Sequence, residues 1–484
     1  MSGSETTEDT KSDQPSDRDS SDDSTQYTWG NRFSPENIIS WFNPDTYPLP
    51  PIGEDPREYG SRVPVETDTN YPVEPDRILG LIVLLILLSI LAVVGSDMSG
   101  WGSIGVLQEG LVVGLWLLAV LYFLSGVSWL RNLIVGGMSD YPPIEYGSEA
   151  VQVRILTIGA QGIVQKTVDH LPDTLTDRHV IAESDMEIDG AEVHVVPADF
   201  ECVATNKGRA LEWARQEVPC EREYVLYLDE DTLVPSFDGL PDADIVQFRE
   251  WPMKTDSWWT YWSEIVRMGF QLGQVGYADR NMPLYAWGGG LAIRKSVEDT
   301  ITWDFDTLVE DTVFTWFAVQ NGANYEVVKT RFRNQAPLSV RDMISQRRRW
   351  LVGTIREEEY LSLGDQLLLT VRNVVWVFSP IVAIVSVVVA LGWVMGIPTG
   401  MEWSGPLKAG SLIFLVLTFM WVLAGIAYYG IRLQTLPVLV LWPLLIVLHS
   451  LGALKGFVFP PRTFVATEKG DSGSTQQLSD PDEQ

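Results

Sequence analysis

A chain of 484 residues with 34 Lys+Arg against 64 Asp+Glu carries a formal net charge of -30 and is long enough for a full catalytic domain plus accessory segments. Such a surface repels polyanions, so nucleic acid is excluded as a partner, and the dense carboxylates read as an adaptation to high salt. Two cysteines, Cys202 and Cys220, are too few for a disulfide framework or a thiolate zinc site; the four histidines are scattered and form no His/Cys cluster in sequence, so any metal is expected on oxygen ligands.

In chain order, residues 1–76 open with a Ser/Thr/Asp/Glu-rich stretch that is expected to be disordered, because it has too little apolar surface to offset its ordering entropy. Its first residues are acidic and polar, unlike the basic-then-apolar start of a signal peptide. From about residue 31, Trp41, Phe42 and several prolines mark an irregular segment. The next region, 77–135, holds two uncharged apolar runs, Ile78–Gly95 and Val106–Trp129, each long enough to span a bilayer. The loop between them lacks Lys and Arg, whereas Arg77 and Arg131 flank the pair, so the positive-inside rule predicts a hairpin with both ends cytosolic.

Residues 150–360 alternate strand-like and helix-like patterns. Val151–Gly159, His179–Ala182, Val193–Pro197, Tyr224–Asp229 and Ile245–Arg249 read as strands, and Asn206–Gln216 and Thr255–Gln274 as helices. This order predicts an α/β domain around a largely parallel sheet, with ligands at the carboxyl ends of the strands. Residues 361–460 turn apolar again, at about Val374–Gly396, Ser411–Gly430 and Leu436–Val458, the last interrupted by His449 and Lys455. Residues 461–484 form a short tail.

The chemistry-bearing residues fall where strands end. YVLYLD runs into Asp229-Glu230-Asp231, and two carboxylates two apart in an extended stretch can face one ion. Hard oxygen ligands of this kind suit Mg²⁺ or Mn²⁺, which in turn binds a diphosphate; an acidic turn is the plainer alternative. Asp185 closes an earlier strand on the same edge. Asn206-Lys207-Gly208-Arg209 at a helix start combines a cation with backbone N–H groups, a natural phosphate corner. Glu310-Asp311 opens a helix, where acidic residues can also be dipole partners. Gln346-Arg347-Arg348-Arg349-Trp350 is the densest basic cluster, suited either to a leaving diphosphate or to anchoring at the membrane.

The ordered set of a strand-end Asp, NKGRAL, DxD, ED and QxxRW between membrane helices resembles family 2 inverting glycosyltransferases. Its closer likeness is to egghead-type β-1,4-mannosyltransferases, through LDEDTLV, the Pro283–Gly290 stretch, VEDTVF and QRRRWLVGT. The resemblance covers about residues 150–356. It implies a GT-A fold, a GDP- or UDP-sugar donor, a divalent cation, and a lipid-linked or glycan acceptor at the cell membrane, served by a cytosolic catalytic domain on a multi-pass anchor. On that pattern Asp185 contacts the nucleotide and Lys207 its base or phosphates. Asp229 and Asp231 hold the metal–diphosphate, and Asp311, beside Glu310, is the general base. Gln346, Arg349 and Trp350 close over the diphosphate and acceptor sugar, and Trp287 and Gly288 line the acceptor site.

Single displacement, with a base on one face and a stabilised leaving group on the other, would invert the anomeric centre. Phe464-Val-Ala-Thr467-Glu-Lys469 is similar to the FxVTxK gating loop of processive cellulose-synthase-like enzymes, so a processive synthase that extrudes its product is the alternative. A cytosolic position for that loop requires Leu436–Val458 to lie at the interface or to re-enter.

Overall fold

The computed structural model describes residues 105–138, 141–396 and 404–460. The acidic N-terminal region, the first half of the expected hairpin (Ile78–Gly95) and the FVATEK stretch lie outside the described residues. The first element is the long helix α1 (Gly105–Met138). The α/β part then runs β1 (Val151–Thr157), α2 (Gln161–Asp169), β2 (Asp177–Ala182), β3 (Glu192–Val195), α3 (Lys207–Glu217), β4 (Tyr224–Asp229) and β5 (Ile245–Met253). It continues through α4 (Trp258–Arg267), α5 (Gln271–Ala278), β6 (Leu291–Arg294), α6 (Lys295–Thr300), α7 (Glu310–Gln320), β7 (Tyr325–Gln335) and α8 (Val340–Arg356). Three long helices close the chain: α9 (Leu363–Val394), α10 (Ser404–Tyr429) and α11 (Leu436–Val458).

The seven strands form one sheet in the order β3-β2-β1-β4-β6-β5-β7. All neighbours pair in parallel except at β6, which is antiparallel to β4 and β5. This is the α/β sheet read from the sequence, with one reversed strand added. Alternation along each strand sends side chains to two cores. Leu156, Ile181, Val225 and Tyr227 pack with Leu211 and Ala214 of α3 and Phe314 of α7. Val153, Ile155, Val180, Leu226 and Leu228 pack with Val164 and Val168 of α2 on the opposite face.

From β1 the chain proceeds outward to β2 on one side and returns to β4 on the other. The strand order therefore reverses between β1 and β4, where Leu156 pairs with Asp229. In open α/β sheets ligands sit at such a switch point, outside the carboxyl ends of the strands.

Helices α1, α9, α10 and α11 are each long and apolar enough to cross a membrane. The last forms one continuous 23-residue helix. The α/β part is fastened to these helices by indole N–H groups that donate to helix-end carbonyls. Trp129 reaches Gly269 O at 3.1 Å, Trp421 reaches Val266 O at 2.7 Å, and Trp262 reaches Gln434 O at 2.9 Å. Helix α11 also presses closely on α8: a Cβ on Gly452 would stand 2.5 Å from Arg347 Cβ and 2.6 Å from Ile344 O. Small residues allow this approach, the usual device of helix contacts in membranes.

Candidate active site

Strand β4 delivers Asp229 at its last position, and the chain turns there, with Thr232 N–H donating to Asp229 O at 3.0 Å. Asp231 thus lies in a turn, not in the extended stretch expected, yet it lines the same cavity as Asp229. It is buried, and its Oδ2 accepts from Gln335 N–H at 2.9 Å, which ties the acidic turn to the end of β7. Glu230 is held by the Thr157 hydroxyl at 2.7 Å.

Lys207, the first residue of α3, follows Asn206, whose φ of 53° places a non-glycine residue in the left-handed region. No side chain caps the helix start, and Asn206, Lys207 and Arg209 border the cavity. Lys207 Nζ donates to Asp229 Oδ1 at 2.8 Å and to Asp311 Oδ2 at 3.0 Å, with Glu310 Oε1 at 3.7 Å. The sequence placed these residues 22 and 104 positions apart from Lys207 in two cases; the sheet edge brings them onto one ammonium.

Asp311 sits in the first turn of α7. Burial pushes its carboxyl up to about 7; Lys207 opposes that rise, and the neighbouring Glu310 and Asp229 charges add to it. A carboxyl poised near neutrality is the property required of a general base. The backbone at Gly288 approaches so closely that a Cβ there would overlap both Lys207 Nζ and the Asp311 carboxylate. That loop is held by Gln247, whose amide donates to Trp287 O at 3.1 Å and whose Oε1 accepts from Trp287 N–H at 2.9 Å.

Helix α8 brings Gln346, Arg349 and Trp350 to the cavity, but it spreads the three arginines around its circumference. The three arginines therefore do not face one target. Arg347 is fully buried, pairs with Glu264 and lies 4.0 Å from the Trp350 ring centre; Arg348 donates to Phe459 O at 2.6 Å. Successive residues of a helix point about 100° apart, so adjacent side chains cannot share a target. Only Arg349 of the three borders the cavity.

Asp185 is a second departure: it is exposed and does not border the cavity, whereas Glu183, paired with Arg209 at 2.8 Å, does. Sequence reasoning also missed Glu264 and Arg267 of α4, which line the cavity and pair with each other. The signal available was their i,i+3 spacing within an aromatic-rich helix. Arg267 donates to Glu250 at 3.0 Å and stands over Trp350 at 5.4 Å, so Trp350 is held by a buried ionic network.

Asp229, Glu310 and Asp311 converge on Lys207, leaving an excess of negative charge beside the equally cavity-lining Asp231. This oxygen-only donor set fits a hard divalent cation. The cavity, about 750 Å³, does not end at the sheet. It continues between the long helices, where Tyr122, Trp129, Trp376, Ser379, Trp421 and His449 line it.

This sheet, with its acidic switch point, has the mixed α/β arrangement expected of a GT-A fold, and residues 224–449 match the family described as Glycosyl transferase family group 2. Over that segment, a little under half of its length, the chain is similar to family 2 glycosyltransferases. Among curated proteins it is similar to the β-1,4-mannosyltransferase egh of Drosophila melanogaster, at 22% identity over 210 residues, covering 39% of this chain and 46% of that protein. It is 20% identical over 209 residues to the β-1,4-mannosyltransferase bre-3 of Caenorhabditis elegans, covering 37% and 44% respectively. The chain thus spans less than half the length of these relatives. A mannosyltransferase from Pyrobaculum calidifontis, solved with GDP-Man and Mn²⁺, superposes with a TM-score of 0.43 at 13% identity, covering 65% of this chain and 98% of that one.

Proposed function

We propose that this protein is an inverting hexosyltransferase that moves a sugar, mannose by its likeness to the curated relatives, from a nucleotide-sugar to a membrane-associated acceptor. The observation that carries this reading is the single cavity joining Asp229, Asp231 and Asp311 to the space between the long apolar helices. The donor diphosphate would lie at the α3 start beside Asp229 and Asp231. A bound Mg²⁺ or Mn²⁺ would be held by these two carboxylates and would offset the charge of the leaving diphosphate.

Asp311 would take the proton from the acceptor hydroxyl as that oxygen attacks the anomeric carbon. Lys207, which spans Asp229 and Asp311, is placed to hold the base in its ionised form until the hydroxyl arrives. Arg349 would add charge at the departing phosphate and Trp350 a flat apolar wall for the acceptor sugar. One attacking oxygen and one departing phosphate on opposite faces leave the product inverted, with a β linkage from an α-linked donor.

An acceptor carried on a lipid could reach the site along the Tyr122–Trp421 lining without leaving the bilayer. The test incubates the purified full chain with GDP- and UDP-sugars, a divalent cation and membrane lipid extract, and resolves the products by size. A single lipid-soluble product labelled from a GDP-sugar is expected. A ladder of long water-soluble chains would replace this reading with the processive synthase.

A further inference from the structure

A second cluster lies on the sheet, away from the residues assigned above to the transfer reaction. Strands β2 and β3 pair in parallel with His179 opposite Glu192 and Ile181 opposite His194. Because strand side chains alternate, Asp177, His179, Glu192 and His194 all fall on one face at the sheet's edge. His179 Nδ1 stands 2.8 Å from His194 Nε2, and Glu192 Oε1 lies 3.6 Å from the same His194 nitrogen. One ligand atom from each of the three residues lies within 4.8 Å of the others.

The surroundings of His179 set its tautomer. Its Nε2 meets Asp177 Oδ1 at 2.7 Å, and Asp177 is itself fixed by Arg222 Nε at 2.9 Å. An ionised carboxylate only accepts, so Nε2 carries the proton and the Nδ1 lone pair points at His194. This carboxylate–imidazole arrangement orients metal-binding histidines and raises their basicity.

We propose that His179, His194 and Glu192 form a site for a borderline divalent cation of the zinc type, with water completing a tetrahedral shell. Two imidazoles and a carboxylate favour Zn²⁺ over the hard Mg²⁺ or Ca²⁺. At Zn–N lengths of about 2.0–2.1 Å, tetrahedral geometry separates two nitrogens by roughly 3.3 Å, so the rings need to part by about half an ångström. The ion would take the place of the proton now shared between the rings. It would staple edge strand β3 to β2, and β3 leads directly into the segment that ends at Lys207. The site is thus structural, and it is separate in ligand chemistry from the oxygen-only Asp229–Asp231 pair.

The test titrates Zn²⁺ into the full-length, detergent-solubilised protein in saturating Mg²⁺, with bound metal counted by elemental analysis and thermal stability followed in parallel. Wild type is expected to hold one more Zn²⁺ than His194→Ala, to melt at higher temperature when loaded, and to bind at least tenfold more tightly than that variant. Transferase activity in Mg²⁺ without zinc is expected to be the same for both. Equal zinc stoichiometry in the two proteins overturns the site, as does a wild type that takes up none. Should His194→Ala fail to fold, the zinc-edge X-ray absorption spectrum of loaded wild type decides. Imidazole scattering from two rings supports the site, and an oxygen-only shell refutes it.

Discussion

Lys207 and Asp311 depend on each other. The ammonium lies 2.8 Å from Asp229 and 3.0 Å from Asp311, and without it the buried Asp311 carboxyl would rise further above its ordinary range. A base acts only when deprotonated, so kcat/KM, which reports the free enzyme, is expected to fall as pH drops through about 7. Asp311→Asn should lower kcat by about 10²-fold or more, and Lys207→Met should move the acidic limb of the kcat/KM profile to higher pH. A pH profile of Asp311→Asn that keeps the wild-type rate and limb would remove Asp311 from the base role. Gly288 is the third member of this group, because its missing side chain is the space that Lys207 and Asp311 occupy. Gly288→Ala should displace both and reduce kcat/KM by about 10²-fold, the cost of a small misplacement at a reacting centre, which steady-state kinetics on the folded variant would show.

At the scale of elements, the readings succeeded where periodicity and end signals agree. Strand β4 is a continuous apolar run closed by carboxylates, and it forms over the residues expected, Tyr224–Asp229. Helix α8 shows the limit of reading by composition. Three adjacent arginines look like one patch in sequence, yet the helical rotation sends Arg347 to Glu264, Arg348 to Phe459 and Arg349 to the cavity. Asp185 stands outside the cavity for a related reason, since the chain leaves β2 at Ala182 and only Glu183 still borders it. Strand β6 carries no signal of its direction in sequence; its antiparallel placement is set by its neighbours β4 and β5.

For the whole molecule, the consequential feature is that the candidate transfer site and the apolar helices share one cavity. Trp376 stacks on His449, with ring centres 5.8 Å apart, and both lie on the cavity wall within the helical bundle. If an acceptor passes there, Trp376→Ala should raise the acceptor KM while leaving metal-dependent hydrolysis of the donor nearly unchanged. Parallel measurement of transfer and of nucleotide release separates the two effects, and an equal loss of both would place Trp376 outside the acceptor path.

The sequence by itself determined the local properties of this protein: which stretches are apolar, which strand ends in carboxylates, and that its acidic surface repels polyanions. These depend on residue type and short-range spacing, which the chain states directly. Tertiary structure decided what distant residues do together. Lys207 met Asp229 and Asp311 only because β4 ends, and α3 and α7 begin, at one sheet edge. Likewise, histidines that stand apart in the chain became a pair on neighbouring strands, 2.8 Å from nitrogen to nitrogen. Pairing register and helix rotation are properties of the packed fold, because the free energy that fixes them comes from burying whole faces and not from any single residue.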